Sequence, residues 1–351
     1  MVTEPLVLSI DTMGGDNAPG MVIEGVDMAI DSLGDVEFLL FGDEVLLGPF
    51  LDKFPRVRAA SNVRHTTDAV LDEDKVGQAL RTRRESSMRK AINAVYDGEA
   101  AGIISAGNTG ALMAMAKFVL KTLPGIDRPA IASCFPTERG LTVMLDLGAN
   151  IDCDAENLVQ FAVMGEAYAR NVLGLEYPTV GILNVGVEGL KGNDSVKRAA
   201  SILQNSDLPM QFIGFVEGTD IGAGTVDVVV TDGFTGNIAL KTAEGTVNFF
   251  SAALKQAMTS SLRAKLGALL TRPAFAELKM RMDPRCYNGA MFLGLNGICI
   301  KSHGGTDAFG FAHAVQVAAD LITNSINESI KEDYARISLS DEMEAAVVDA
   351  Q

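Results

Sequence analysis

The sequence predicts an α/β protein whose largely parallel sheet is covered by helices on both faces. Seven short runs rich in Val, Ile and Leu end in Gly, Asp or Asn, and each gives way to a helix-like segment. The runs are LVLSIDTMGG, VEFLLFGD, AAGIISAGNTG, LTVMLDLGAN, TVGILNVG, MQFIGFVEG and VDVVVTDGFTG. Strands that are apolar on both faces and alternate with helices are typical of a three-layer fold. Ligands of such folds bind where the carboxyl ends of the strands meet, so we expect the Gly-rich loops at one edge.

The domain organisation follows from length and from the absence of linkers. No Pro-, Ser- or Gly-rich linker and no fixed-period repeat divides the 351 residues. We expect one large catalytic domain over residues 1–332, with residues 246–282 as a protruding amphipathic helical segment. Residues 333–351 form an acidic C-terminal tail that is expected to fray.

Composition and charge exclude several classes of protein. Hydrophobic residues make up 48% of the chain and charged residues 21%, which is usual for a globular protein. A net charge of −16 disfavours nucleic acid as a partner. The four Cys residues show no CxxC spacing, and the N-terminus has no signal-like apolar run. These features predict a cytoplasmic protein.

The first anion-binding candidate is the turn after the strand AGIIS. Gly107 permits close approach of a ligand, and Asn108 and Thr109 fall where the free N–H groups of a helix point outward. A helix N-terminus attracts phosphate. The alternative is a simple N-cap, because Asn and Thr cap many helices; we favour phosphate binding.

A second turn after the strand VDVVV has a similar layout. Thr235, Gly236 and Asn237 precede a helix expected to begin near Asn237, and Lys241 adds a cation one turn later. Asp232 is either a turn residue or a carboxylate of the site.

The turn DTMGGDNAP follows the first predicted strand and carries Asp11, Gly14, Gly15 and Asp16. Its carboxylates could hold a metal, orient a Lys or cap a turn, and spacing alone does not choose among these. Capping is the default interpretation for Asp16.

Two side chains are candidates for catalysis. Lys191 lies in a Gly-containing loop before a helix that Asn193 or Asp194 could cap, and Asn193 is also a candidate for substrate binding. His303 is one of three His residues and lies in SHGGTD, and His is the commonest general acid or base near neutral pH. No GxSxG, HExxH, Walker A or early GxGxxG motif occurs. We therefore expect direct attack between two bound substrates.

Taken together, these motifs resemble the PlsX family of acyl-[acyl carrier protein]:phosphate acyltransferases. The resemblance spans residues 11–307 and is carried by DTMGGDNAP, SAGNTGALMA, DRPAIA, LDLGAN, LNVGVEGLKGND, VVVTDGFTGNIALKTAEG and NGAMFLGLNGICIKSHGGTD. The last motif adds Asn296 to the substrate-binding candidates. One departure is Thr12, where Ala is common in the family.

The resemblance implies a fold akin to phosphotransacetylases and the isocitrate and isopropylmalate dehydrogenases, usually as a homodimer. It implies that inorganic phosphate attacks the thioester of a fatty acyl group on acyl carrier protein. The acyl phosphate then passes to a membrane glycerol-3-phosphate acyltransferase in phospholipid synthesis. No cofactor and no metal are expected.

Residues 246–282 carry six basic residues and one acidic residue within an otherwise acidic chain. The segment is predicted to be a dimer interface, a peripheral contact with anionic membrane, or a dock for the acidic carrier protein.

Two other functions fit the sequence less well. A decarboxylating dehydrogenase would need a cluster of Arg residues and a set of Asp metal ligands, and neither is evident. A non-enzymatic lipid- or anion-binding protein would leave the Gly-rich loops unexplained.

Overall fold

Within residues 5–206, 208 and 210–335, which the computed structural model describes, eleven strands form one sheet. Their order across the sheet is β3-β2-β1-β4-β11-β10-β5-β6-β9-β7-β8. The strands are β1 Leu6–Asp11, β2 Val36–Gly42, β3 Ser61–His65, β4 Gly102–Ser105, β5 Ala130–Pro136, β6 Leu141–Leu145, β7 Thr179–Leu183, β8 Gln211–Val216, β9 Val228–Val230, β10 Ala290–Leu293 and β11 Ile298–Lys301.

Helices connect most of the strands. They are α1 Gly20–Leu33, α2 Glu44–Lys53, α3 Pro55–Ala59, α4 Val76–Thr82, α5 Ser87–Tyr96, α6 Thr109–Leu120, α7 Ala155–Leu173, α8 Asp194–Gln204, α9 Gly218–Ala223, α10 Gly233–Thr259, α11 Leu262–Leu270, α12 Arg272–Arg281 and α13 Ala308–Thr323. A 3-10 turn spans Pro284–Tyr287, and residues 326–335 are helical.

Two buried layers confirm the predicted three-layer α/β fold. On one face of the sheet, apolar side chains of α1, α2, α3, α7, α8 and α13 form a large core. On the other face, α4, α5, α6, α9 and the first turns of α10 form a second core. The seven predicted strands all form, and β3, β5, β10 and β11 complete the sheet.

The sheet consists of two parallel groups that run in opposite directions. Strands β3, β2, β1, β4 and β11 are parallel to one another, as are β6, β9, β7 and β8. Between them, β10 pairs antiparallel with β11 and β5, and β5 pairs antiparallel with β6. Three antiparallel pairings reverse the direction, so the carboxyl ends of the two groups lie at opposite edges. The expectation that all Gly-rich loops share one edge is therefore wrong.

Most of the segment at residues 246–282 is helical. It comprises the last part of α10, then α11 and α12, and neither of the last two helices has a buried residue. Large apolar side chains stand exposed on it, among them Phe249, Leu262 and Leu270. Among the described residues, no helix combines the length and apolar character needed to cross a membrane.

The predicted boundary at residue 332 falls inside a helix. Residues 326–335 are helical, and the side chain of Asp333 is buried against Arg170 of α7. The rest of the predicted acidic tail, residues 336–351, lies outside the described residues.

Candidate functional site

The loops that follow β1, β4 and β11 meet at one edge of the sheet. The Asp16 backbone N–H donates to the Gly304 carbonyl at 3.0 Å. A Cβ atom added to Gly14 would lie 2.6 Å from the Gly107 nitrogen, so only glycine allows this approach of the first two loops. The structure thus brings Gly14, Asp16 and Gly107 together, as predicted for neighbouring parallel strands.

Asp11 is buried beneath the loops that follow β1 and β4 and fixes their positions through hydrogen bonds. Its carboxylate is buried and accepts hydrogen bonds from the Ser87 and Ser105 hydroxyl groups, both at 2.6 Å. Burial raises the pKa of Asp11, and the two serine hydrogen bonds partly oppose that shift. With both oxygens occupied, Asp11 fixes the turn and does not face the loop surface.

The N-terminus of α6 has the geometry of an anion site. The Asn108 side chain caps the helix by accepting from the Ala111 N–H at 3.0 Å, and its amide donates to the Asp72 carbonyl at 3.2 Å. The N–H groups of Thr109 and Gly110 have no hydrogen-bond partner within the described part of the chain. Capping and anion binding are therefore compatible here.

Lys301 lies beside this turn and was missed by the sequence reasoning. Its ammonium group donates to the Ala106 carbonyl at 3.3 Å and also to the Ser302 carbonyl. Burial lowers the pKa of Lys301 to about 8, whereas the negative charges of Asp72, Asp11 and Asp16 act in the opposite direction. A Lys that ends a buried strand directly before a Gly-rich loop was the available signal, because such strand ends meet at the site.

His303 follows Lys301 and is exposed. Its backbone N–H donates to Asn288 Oδ1 at 2.9 Å, which anchors the loop. The ring Nδ1 accepts from the Gly305 N–H at 3.1 Å, so the neutral ring carries its proton on Nε2. That proton is available to a ligand.

The turn after β9 differs from the turn after β4. Helix α10 begins at Gly233, four residues before the predicted start, because Asp232 caps it by accepting from the Thr235 N–H and hydroxyl, both at 2.8 Å. The Asp232 carboxylate therefore occupies the helix N-terminus, where a phosphate would meet a like charge. Asn237 donates to the Leu147 carbonyl at 3.2 Å, and Gly236 packs against the Asp146 carbonyl.

Asp146, which the sequence reasoning did not select, organises the loop after β6. Its buried carboxylate accepts the backbone N–H groups of Ile131, Gly148, Ala149 and Asn150. Burial raises the pKa of Asp146, and these hydrogen bonds oppose the shift. The motif LDLGAN is thus explained by loop architecture.

Lys241 lies near the site formed by the first group of strands. It lies on α10, pairs with Glu244 at 2.8 Å, and is half-exposed. Its positive charge contributes to the lowered pKa of Lys301, so the two ammonium groups lie within electrostatic range. The long helix α10 thus brings a cation of the second group to the first site, although the turn that starts it lies at the opposite edge.

Lys191 and Asn193 follow β7 and so belong to the other edge of the sheet. Both are exposed, and Asn193 caps α8 by accepting from the Val196 N–H at 2.9 Å. Among the described residues, no hydrogen bond or ion pair joins Lys191 to the loop of His303.

Asn296 lies away from the α6 turn. It precedes β11, whereas Lys301 and His303 end or follow that strand, and its amide donates to the Thr122 carbonyl at 2.7 Å. Asn296 also lines a cavity of about 350 Å³ with Gly297 and Ile298 at the amino end of β11. The structure does not bring it together with the other substrate-binding candidates of the β1, β4 and β11 loops.

The described residues also bear on metal binding. In the part of the chain that the structure describes, no group of three or more His, Cys, Asp or Glu side chains is arranged to hold a metal ion. Of the Asp residues of the first loop, Asp11 accepts hydrogen bonds from two serines, and the Asp16 carboxylate lies close to Gly305.

Comparison with known proteins decides the family. Residues 6–329 match the family described as fatty acid synthesis protein. The chain belongs to this family. It is 60% identical over 347 residues to a phosphate acyltransferase of Rhodospirillum centenum, covering 99% of this chain and 97% of that protein. It is 61% identical over 332 residues to a phosphate acyltransferase of Paramagnetospirillum magneticum, covering 95% of each.

Solved structures show that this family member shares the phosphotransacetylase fold. A phosphotransacetylase from Streptococcus pyogenes superposes with a TM-score of 0.59 at 18% identity, covering 91% of this chain and 94% of that one. The EutD phosphotransacetylase from Staphylococcus aureus gives a TM-score of 0.57 at 16% identity, with coverage of 93% and 94%. These similarities confirm the fold predicted from the sequence.

Proposed function

We propose that the protein is a phosphate acyltransferase that transfers a fatty acyl group from the thioester of acyl carrier protein to inorganic phosphate. The relatives named phosphate acyltransferase, at 60–61% identity over nearly the whole chain, support the reaction class. The observation within the structure that carries the proposal is the uncapped start of α6 beside the Lys301 ammonium.

The phosphate is held by the Thr109 and Gly110 N–H groups and by Lys301. A helix N-terminus and a cation together replace the water that phosphate loses on binding. Asp11, through Ser87 and Ser105, keeps the loops rigid, so the donors are preorganised. Asp16 and Asp72 favour the charged form of Lys301, which counteracts its burial.

In the reaction, a phosphate oxygen attacks the thioester carbonyl carbon. The new C–O bond forms as the C–S bond breaks, and the electron pair leaves with the carrier thiolate. Holding the phosphate within about 3.5 Å of that carbon supplies much of the rate enhancement. The Nε2–H of His303 donates to the carbonyl oxygen as charge develops or protonates the departing thiolate. Lys191 is a second candidate for donating to the carbonyl oxygen or to the departing thiolate.

The test is conversion of acyl carrier protein thioester and phosphate to acyl phosphate by the purified protein. Thiol release is measured together with acyl phosphate formation by phosphorus NMR, with and without EDTA. Phosphate-dependent release of both products at unchanged rate in EDTA is expected. Loss of activity in EDTA that Mg²⁺ restores would make Asp11, Asp16 or Asp232 metal-ligand candidates.

The same proposal extends to assembly and location. We place the protein in the cytoplasm as a homodimer, with residues 246–282 at the dimer interface, on the inner face of the membrane, or at both. Phe249, Leu262 and Leu270 are exposed, which supports burial of this surface against a second subunit or a membrane. The basic residues beside them favour anionic lipid. Peripheral contact would deliver the acyl phosphate, which is labile in water, to a membrane glycerol-3-phosphate acyltransferase.

A further inference from the structure

A compact basic and aromatic patch lies on α5, α6 and the residues beside them, well separated in the sequence from residues 246–282. We define the α5–α6 patch as Arg84, Arg89, Lys117, Phe118 and Lys121. Phe118 is 54% exposed at the end of α6. The Arg89 guanidinium lies 5.2 Å from its ring centroid and the Lys121 ammonium 4.8 Å from it. An exposed ring that two cations contact is typical of a recognition surface rather than of a core.

The positive charge of the patch is not neutralised. Arg84, Arg89, Lys117 and Lys121 form no ion pair with any side chain in the described part of the chain. Burial and the neighbouring charge of Arg84 lower the pKa of Arg89, which shows that the two guanidinium groups repel each other. In a chain of net charge −16, unpaired cations that include two in contact with an exposed ring favour an acidic partner.

Backbone conformation at Lys121 adds an independent observation. Lys121 ends α6 with φ of 64° and ψ of 173°, a conformation that glycine adopts far more readily than lysine. Lysine thus occupies a backbone conformation that favours glycine, and the Lys121 ammonium group lies over the Phe118 ring. Recognition of a partner by the Lys121 ammonium group would explain why a lysine is present at this strained position.

The α5–α6 patch and the proposed phosphate site are separated by about the length of helix α6. Both helices that carry it begin at the site: the Ser87 hydroxyl at the start of α5 donates to Asp11, and α6 begins at Thr109. Phe118 lies nine residues after Thr109, which corresponds to about 14 Å along the helix axis. An extended thioester arm as long as about five extended residues reaches about 17–18 Å. A carrier docked on the patch can therefore present its thioester at the site.

We propose that the α5–α6 patch is the docking surface for the acidic face of acyl carrier protein. This inference rests on the proposed function and specifies where its protein substrate binds. Phe118 provides the apolar anchor, and the four cations steer and orient the carrier.

The test compares two acyl donors, acyl carrier protein thioester and the free acyl-pantetheine thioester. In Arg84→Glu, Arg89→Glu and Phe118→Ala proteins, KM for the carrier thioester is expected to rise about tenfold, while kcat/KM for acyl-pantetheine and KM for phosphate stay unchanged. The difference between wild type and the charge-reversal variants shrinks at high salt. Reversal of an acidic residue of the carrier to Lys restores binding to one of these variants.

Two further variants control for folding and for location. Lys121→Gly relieves the backbone strain, so its Tm is maintained or raised while KM for the carrier still increases. Lys265→Glu, an exposed cation of α11, leaves KM for the carrier unchanged. The proposal is overturned if the patch variants affect neither donor or both donors equally, or if Lys265→Glu alone weakens carrier use. If wild type turns over neither donor, the proposed function itself fails.

Discussion

Lys301 is the residue whose protonation state controls phosphate binding in the proposed site. Burial brings its pKa to about 8, so the ammonium loses its proton as pH rises from about 7 to 9. Inorganic phosphate changes from a mixture of monoanion and dianion to the dianion in the lower part of this range, and this change affects wild type and Lys301→Arg equally. We expect kcat/KM for phosphate to fall across the window, measured as initial rates with saturating donor. Lys301→Arg should abolish the fall because guanidinium stays protonated. The same fall in both proteins would remove Lys301 from phosphate binding.

The same pKa shift has a consequence for stability. Unfolded Lys301 has the ordinary pKa of 10.5, so between about pH 8 and 10.5 the unfolded state binds more protons than the folded state. The free energy of unfolding contributed by this group therefore rises with pH in that range. Lys301→Met should lack this rise, which urea titrations of both proteins at pH 8 and pH 10 would measure.

His303 and Lys191 were predicted as catalytic residues from their loops. Both side chains are exposed, so His303→Ala and Lys191→Ala should leave the Tm nearly unchanged. Loss of a preorganised donor typically lowers turnover about 10²- to 10³-fold, and that is the expected effect of each substitution. Near-normal turnover in a folded Lys191→Ala protein would leave His303 as the remaining candidate, in keeping with the position of Lys191 at the opposite edge of the sheet.

At the scale of elements, the segment at residues 246–282 has two proposed roles, a dimer interface and a membrane contact. One experiment distinguishes them. Leu269 and Leu270 are 64% and 76% exposed on α11. Replacing both with Glu should abolish flotation with anionic vesicles if this apolar surface meets the membrane. Dimerisation, measured by sedimentation, is the second readout.

Each outcome of that comparison has a distinct meaning. A double variant that stays dimeric but no longer floats supports membrane contact, whereas loss of the dimer assigns the helices to the subunit interface. If wild type does not float even at low salt, where attraction between charges is strongest, the membrane role fails.

Which elements could be predicted depends on how local their determinants are. The seven apolar runs were recognisable because a doubly buried strand is apolar on both faces. The edge strand β3 was missed because its sequence, SNVRH, is polar and mostly unburied. The start of α10 was placed too late because the Asp232 cap was weighed as a site carboxylate. Lys301 was missed because its burial depends on loops from distant parts of the chain.

The reversal of strand direction was beyond local reasoning. It depends on how β5 and β10 pair, and those two strands lie about 160 residues apart in the sequence. For the same reason, the sequence placed the turn before α10 beside the turn before α6, although it is Lys241, further along α10, that lies within electrostatic range of the first site.

At the scale of the whole molecule, Arg170 ties the C-terminal helix to the core. Its guanidinium pairs with Glu166 at 3.1 Å and with Asp333, and both carboxylates are buried. Asp333→Ala should lower the free energy of unfolding by about 2–3 kcal/mol because a buried ion pair loses one partner. Glu332→Ala, an exposed neighbour, is the matched control and should change it by less than about 0.5 kcal/mol. Equal effects in chemical denaturation would contradict the structural role of the Arg170 cluster.

The position of β11 in the sheet has a consequence for synthesis of the chain. Strand β11 lies between β4 and β10, and its residues 298–301 are made almost 200 residues after β4. While the ribosome is still adding the intervening chain, β4 presents an unpaired edge, the kind of surface that recruits other strands. The half-sheet closes only when β11 arrives, and it brings Lys301 with it. A nascent chain therefore gains its candidate phosphate site and pairs the open edge of β4 in the same step.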